Sequence, residues 1–309
     1  MNFKKMHNAL FLAPMRGVNC AAFRVMSREY GCDLTSTPML LCDEIKHNSE
    51  QLIERLNLNK KEKPISLQLI GNGDCSESVS KIEEYADVID LNLGCPEKEY
   101  LGRKFGSYLL TNIPMMEKFV SSVVSSTNKP VTAKIRLGFK DNNSLEVSKR
   151  LEDLGVSLIT VHGRTTKQGY TGTADINAIK KVKENVNIPV IGNGDVFKPG
   201  NAKVMIEKTK CNGVMIGRGV MGNPHLFKEV KELLETKKNR FFFVDKKEEA
   251  LKFTKYYEKY DKNSSFTEYR QHIMWFSKTL KSSSSLRQQL LKTNTFDEVK
   301  NIINSDKFK

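Results

Sequence analysis

Apolar residues in this chain fall into short unbroken runs, separated by longer stretches in which they recur every three or four positions. The short runs are ALFLAP (9–14), LTSTPML (34–40), ISLQLIG (65–71), VIDLNLG (88–94), PVTAKIRLG (130–138), LITVHG (158–163), IPVIGNG (188–194) and GVMIG (213–217). Near-continuous apolar runs of this length predict parallel strands covered on both faces. The stretches between them, such as DINAIKKVKE (175–184), predict amphipathic helices. Eight such units before about residue 236 predict a (β/α)8 TIM barrel over residues 1–236. From residue 237 the alternation stops. Helical patterns remain at 248–257, 269–278, 286–291 and 296–303, with SSSS (282–285) as a loop or helix start. The predicted fold class is α/β: a TIM barrel followed by a small all-helical domain at 237–309.

An open doubly wound sheet is the competing architecture. GRGVMG (217–222) fits the G-x-G-x-x-G pattern of such sheets, but it lies in the eighth unit instead of the first. No strand ending in an acidic residue follows about twenty positions later, where the chain reads KKNR (237–240). In a barrel the loops after the seventh and eighth strands commonly cradle a phosphate, which gives these glycines a better use.

Charge adds a partner class. The net charge is +14, and residues 237–309 hold 17 Lys and Arg against 9 Asp and Glu, over half of the excess. A polyanion suits that tail, and so does a plain solvated lysine-rich surface. Six cysteines occur with no C-x-x-C pair, so neither a zinc cluster nor a dithiol motif is expected, and no metal site. The apolar stretch near the N-terminus is too short for a signal peptide, and no run is long enough to cross a bilayer. A cytoplasmic protein with reduced thiols is expected.

Barrels do their chemistry at the C-terminal ends of their strands. Here those ends offer Pro14 and Met15, Gln68, Asn92 with Cys95, Lys134 with Arg136, His162 with Arg164, Asn193-Gly194-Asp195, and Gly217-Arg218. Taken singly, each has a structural explanation: an amide capping nearby backbone, a satisfied histidine, an inert buried thiol. A lysine inside VTAKIRL is harder to solvate unless it points into a polar cavity. Convergence at one rim suggests a ligand with a phosphate for the glycine-rich ends and a polar ring for Gln68 and Lys134. Flavin mononucleotide (FMN) fits better than a dinucleotide.

The residues then match a family. LAPMRGVNCAAFR (12–24), QLIG (68–71), DLNLGCP (90–96), KIRLG (134–138), TVHGRTTKQGYTG (160–172), PVIGNGDV (189–196) and GVMIGRGVMGNPHLF (213–227) resemble, in order, the tRNA-dihydrouridine synthases. YRQHIMWF (269–276) is similar to part of that family's C-terminal helical domain. The resemblance implies reduction of the C5=C6 bond of particular uridines in tRNA by FMN, itself reduced by NADPH. It implies that Pro14, Met15 and Arg16 lie against the flavin, that Gln68 and Lys134 bond its ring, and that His162 borders flavin and base. Asn193, Gly194, Asp195, Gly217 and Arg218 would hold the phosphate. Asn92 would help hold the base, and Cys95 would protonate C5 across the base from the hydride donor. Arg136, Arg164 and Arg270 are further candidates to meet the RNA, with Lys278, Lys281 and Arg287 in the tail.

Three departures from the family pattern stand out: Arg16 in place of a small residue, Pro38 where Glu is frequent, and the altered run EKEYLGRKFG (97–106) after the thiol. Two rivals remain: an FMN barrel acting on a free pyrimidine, and a non-catalytic RNA-binding relic.

Overall fold

The computed structural model describes residues 2–238, 243–262, 264–281 and 283–308. Ser282 of the serine run, and Asn239 and Arg240 of the 237–240 segment, lie outside the described residues. The strands are β1 (Ala9–Leu12), β2 (Thr35–Ser36), β3 (Leu40–Leu41), β4 (Ile65–Ile70), β5 (Val88–Leu93), β6 (Val131–Arg136), β7 (Leu158–His162), β8 (Val190–Asn193) and β9 (Gly213–Ile216). All pairings are parallel, in the order β1-β9-β8-β7-β6-β5-β4-β2, with β3 also on β4. A parallel bridge joins Phe11 to Leu34, and the Leu12 N–H donates to the Leu34 carbonyl at 3.0 Å. The sheet therefore curls into a nearly closed barrel.

All eight predicted strands are present, but the second is split. Thr37-Pro38-Met39 separates β2 from β3, and proline has no N–H to give to a ladder. Both pieces still pair with β4, so the barrel order is unaffected.

The barrel helices are α1 (Ala21–Glu29), α2 (Cys42–Leu56), α3 (Ser76–Ile82), α4 (Lys98–Gly102), α5 (Ile113–Val124), α6 (Ser144–Asp153), α7 (Ile176–Lys183), α8 (Pro199–Thr209) and α9 (Leu226–Thr236). The larger core lies between them and the outward side chains of the strands, such as Leu67, Leu91, Ala133, Ile159 and Val214. A smaller cluster, including Phe11, Val88, Leu158, Ile191 and Met215, plugs the barrel interior. Strand side chains alternate, so the residues two and four places beyond this plug face the same way. In β5 these are Asp90 and Asn92, in β7 Thr160 and His162, and in β8 Asn193. An apolar floor thus supports a polar shaft.

The last helices are α10 (Lys246–Tyr260), α11 (Phe266–Phe276), α12 (Ser283–Leu291) and α13 (Phe296–Asn304). Phe253, Tyr257, Tyr269, Ile273 and Phe276 belong to the same continuous cluster as the barrel residues. Two contacts show how close the join is. The N-cap of α1, Cys20, makes no side-chain cap bond. Asp261, just after α10, supplies it instead, accepting from the Ala21 and Ala22 N–H groups at 3.0 and 2.7 Å. At the other contact, a Cβ on Gly222 would lie 2.3 Å from the Trp275 backbone. The third glycine of GRGVMG therefore makes room for α11, which the sequence pattern did not suggest.

Asp261→Ala would leave two buried N–H groups without an acceptor. A loss of about 2 kcal/mol in unfolding free energy is expected, read from urea denaturation. An unchanged midpoint would show that the cap contributes nothing.

Candidate active site

A cavity of about 310 Å³ opens at the C-terminal end of the strands. Its wall includes Pro14, Met15 and Arg16 after β1, Gln68 from β4, Asn92 and Cys95 from β5 and its loop, and Lys134 and Arg136 from β6. His162, Asn193, Gly194, Asp195, Gly217 and Arg218 complete it. Register explains the convergence: Gln68 pairs with Asp90, Asn92 with Lys134, and His162 with both Arg136 and Asn193. Arg164 and Arg270 do not line the cavity.

The thiol sits on a fastened turn. Asn92 Oδ1 accepts from the N–H groups of Gly94 (3.1 Å) and Cys95 (2.9 Å). The Cys95 carbonyl accepts from the Ser107 N–H (3.2 Å) and hydroxyl (2.8 Å). A Cβ on Gly106 would stand 3.0 Å from Cys95 Cβ, so that glycine admits the turn. Ile70, Tyr100 and Phe105 back the thiol as a small apolar cluster. Burial pushes its pKa above the ordinary thiol value; a hydrogen bond from the Glu97 backbone opposes this, the Glu97 carboxylate adds to it, and Lys134 and Arg136 oppose it. Cys95 is therefore a protonated thiol at neutral pH.

Four cations, Lys134, Arg136, Arg164 and Arg218, surround the shaft. Lys134 Nζ makes no hydrogen bond or ion pair among the described residues. Burial, aided by Arg136, pushes its pKa down to about 8, against the opposing pull of Asp90. His162 is pushed down to about 2, first by burial and then by the same four cations. Its imidazole is neutral, and its Nε2 accepts from Arg164 Nη1 at 3.5 Å.

The arginines expected at the RNA are largely committed to the protein. Arg136 donates through Nε to the Gly94 carbonyl (3.0 Å) and through Nη1 to the carbonyls of Thr165 (3.0 Å) and Gly169 (2.8 Å). Arg164 donates to the carbonyls of Thr171 (3.0 Å) and Gly172 (2.6 Å) and to Asp195 Oδ2 (2.7 Å). Arg270 donates to the carbonyls of Leu291 (3.2 Å) and Thr293 (2.8 Å), closing the end of α12. These groups fasten loop and helix-end carbonyls, of which that of Gly94 is buried and most of the others partly so.

Asp195 also differs from its expected phosphate role. Its carboxylate pairs with Arg164 and lies 3.8 Å from Arg218, and a phosphate would be repelled by it. Its side chain positions arginines instead. Asn193 donates to the Met215 carbonyl at 2.8 Å, which ties β8 to β9.

Two departures meet in space. Arg16 Nη1 donates to the Tyr100 hydroxyl at 3.0 Å and lies 3.7 Å from Glu99. The unusual Arg16 and the unusual run after Cys95 thus bridge across the cavity mouth. Sequence reasoning also passed over Tyr170, which is 57% exposed beside the cavity with Arg218 at 4.2 Å over its ring. It passed over Asp90 too, although every second residue back from Asn92 was open to inspection.

The family model for Dihydrouridine synthase (Dus) matches residues 11–309, nearly the whole chain. The chain belongs to the dihydrouridine synthase family. A tRNA-dihydrouridine synthase B of Shewanella oneidensis is 32% identical over 280 residues, covering 88% of this chain and 87% of that protein. A probable tRNA-dihydrouridine synthase 1 of Synechocystis sp. is 33% identical over 309 residues, covering 96% and 86%. Among solved structures, histamine dehydrogenase from Rhizobium sp. 4-9 matches with a TM-score of 0.52 at 13% identity, over 74% of this chain and 46% of that one. That likeness concerns the barrel fold alone. For a dihydrouridine synthase, the rim described above is the natural place for chemistry.

Proposed function

We propose that this chain is an FMN-dependent tRNA-dihydrouridine synthase of the cytoplasm, reducing the C5=C6 bond of uridines in tRNA with NADPH as reductant. The observation that carries the reading is one cavity lined by a protonated thiol, an ammonium without an acceptor and a neutral imidazole. Lys134 provides the fit test for a flavin: a partly buried cation with no acceptor among the described residues calls for an anionic or acceptor-rich partner. Gln68 adds amide polarity, and Arg218 with the glycine-rich ends of β8 and β9 would hold a phosphate.

When bound, reduced FMN would supply the hydride for uracil C6. Cys95 supplies the proton for C5, and its raised pKa keeps that proton available. Lys134 and Arg136 stabilise the thiolate left behind, which water then reprotonates. His162, being neutral, orients ligands by hydrogen bonding and adds no charge. Exposed Tyr170, under Arg218, offers a face for a nucleobase.

Residues 1–236 form the catalytic part and 237–309 the tRNA-binding part. Lys278 and Lys281 are exposed and suit phosphate contacts, whereas Arg270 and Arg287 already donate to backbone carbonyls within the helices. The six free cysteines suit a reducing compartment. The test is to purify the protein, look for flavin absorbance, and sequence tRNA from a deletion strain position by position. A colourless protein together with undiminished dihydrouridine would overturn the reading.

Lys134 also sets a pH dependence. Its folded pKa of about 8 lies below that of an unfolded lysine, so the ligand-free protein gains stability as pH rises through 8 to about 10.4. Binding of an anionic group needs the ammonium charged and runs the other way. Affinity for reduced FMN should fall above pH 8, by up to about tenfold per pH unit. Anaerobic fluorescence titration measures it, and Lys134→Met should flatten the profile.

A further inference from the structure

Asp90 lies beneath the cavity, 5% exposed, one inward step below Asn92 on β5. Its Oδ1 accepts from the Thr132 hydroxyl at 2.6 Å and its Oδ2 from Gln68 Nε2 at 2.7 Å. Gln68 Oε1 in turn accepts from Asn92 Nδ2 at 2.8 Å. Asn92 Oδ1 then accepts from the N–H groups of Gly94 and Cys95. The chain of bonds has a direction. An ionised carboxylate can only accept, so Gln68 must turn its NH2 down and its carbonyl up. Asn92 must then turn its NH2 towards Gln68 and its carbonyl towards the thiol turn.

We propose that Asp90 is a positioning residue that sets both amide orientations and thereby holds the Cys95 turn in place for proton transfer. This role rests on the dihydrouridine synthase reading only for its catalytic consequence. The relay itself is a property of the unliganded protein. Burial pushes the Asp90 pKa above the ordinary carboxylate value, and the Thr132 and Gln68 donors, with the nearby Lys134 charge, oppose that push and make a carboxylate tolerable in the shaft.

Asp90→Asn tests the directionality. An amide either presents NH2 to Gln68, which then faces Asn92 with donor against donor, or keeps its carbonyl on Gln68 with its NH2 on the Thr132 hydroxyl and so replaces a charged acceptor by a weaker neutral one; both loosen the relay. Loss of the Asn92 carbonyl from the Cys95 N–H frees the turn. Iodoacetamide alkylation of Cys95, followed by peptide mass spectrometry on flavin-free protein, should speed up about fivefold or more as the thiol becomes accessible. The kcat for dihydrouridine formation should drop about tenfold or more with the KM for tRNA within about twofold, the pattern of an interaction needed only in the transition state.

The double variant Asp90→Asn/Gln68→Glu restores the direction. The amide introduced at position 90 donates to the carboxylate introduced at position 68. That carboxylate also accepts from Asn92, so the Asn92 carbonyl again faces the turn. The alkylation rate should return to within about threefold of the wild type. Three results would overturn the proposal: an unchanged alkylation rate in folded Asp90→Asn, a double variant no better than the single, or a double variant that fails to fold. Should Asp90→Asn alone not fold, the double variant decides. Altered alkylation with no dihydrouridine made by any form, wild type included, would leave the relay standing and remove the functional reading.

Discussion

Cys95→Ala is expected to slow dihydrouridine formation about 10²- to 10⁴-fold, the range for losing a positioned general acid. Flavin content and tRNA affinity should hardly change. Cys95 is one of many residues in the cavity wall, and its neighbours Asn92, Ser107 and Gly106 hold the turn through backbone groups that alanine keeps. Cys95→Ser should fare little better, because a hydroxyl in the same apolar pocket of Ile70, Tyr100 and Phe105 is a far weaker acid than a thiol. Single-turnover mixing of reduced enzyme with undermodified tRNA isolates the chemical step. Wild-type rates in Cys95→Ala would remove the thiol from the mechanism.

Removing residues 237–309 is expected to unfold the barrel, not merely to disarm it for tRNA. The deletion strips Phe253, Tyr257, Tyr269, Ile273 and Phe276 from a cluster shared with barrel residues. It also removes Asp261 from the start of α1 and exposes the Gly222 face on which Trp275 packs. Loss of these large buried side chains, at about 1.5–3 kcal/mol of burial each, matches the whole stability of an ordinary domain. Insoluble or denatured protein by circular dichroism is the expected outcome. A folded, flavin-binding 1–236 fragment would show that the barrel is self-sufficient. Surface variants such as Lys278→Ala and Lys281→Ala therefore probe RNA binding more cleanly than truncation.

The barrel was legible because each strand announces itself locally. A run such as VTAKIR must be a strand buried on both faces, and eight of them in alternation with helices have few parallel arrangements. The rim was legible for the same reason: the last polar residue of a buried strand must face a cavity. Pro38 shows the limit. Its effect on β2 and β3 follows from its missing N–H, yet the apolar pattern runs straight through it.

The arginines show a deeper limit. Arg136 and Arg164 look alike in sequence to Arg218, a charge at a strand end, and Arg270 reads as an ordinary charge on a helix. Arg136, Arg164 and Arg270 bind carbonyls of loops 21 to 42 residues away or of their own turn, and Arg218 stays half-exposed over Tyr170. Which carbonyls lie within reach depends on loop paths, and loops have no periodicity to read. The pairing of Arg16 with Tyr100 crosses 84 residues and is equally hidden.

Sequence by itself determined the strand count, the parallel barrel, the family and many of the polar residues that line its mouth, because these follow from local periodicity and short ordered motifs. Only the tertiary structure decided what each polar group does there. Hydrogen-bond direction along Asp90, Gln68 and Asn92, the burial that keeps Cys95 protonated and His162 neutral, and the fusion of the last helices with the barrel core all arise from contacts between distant segments. Those contacts depend on which groups the fold leaves without water, and no local pattern carries that information.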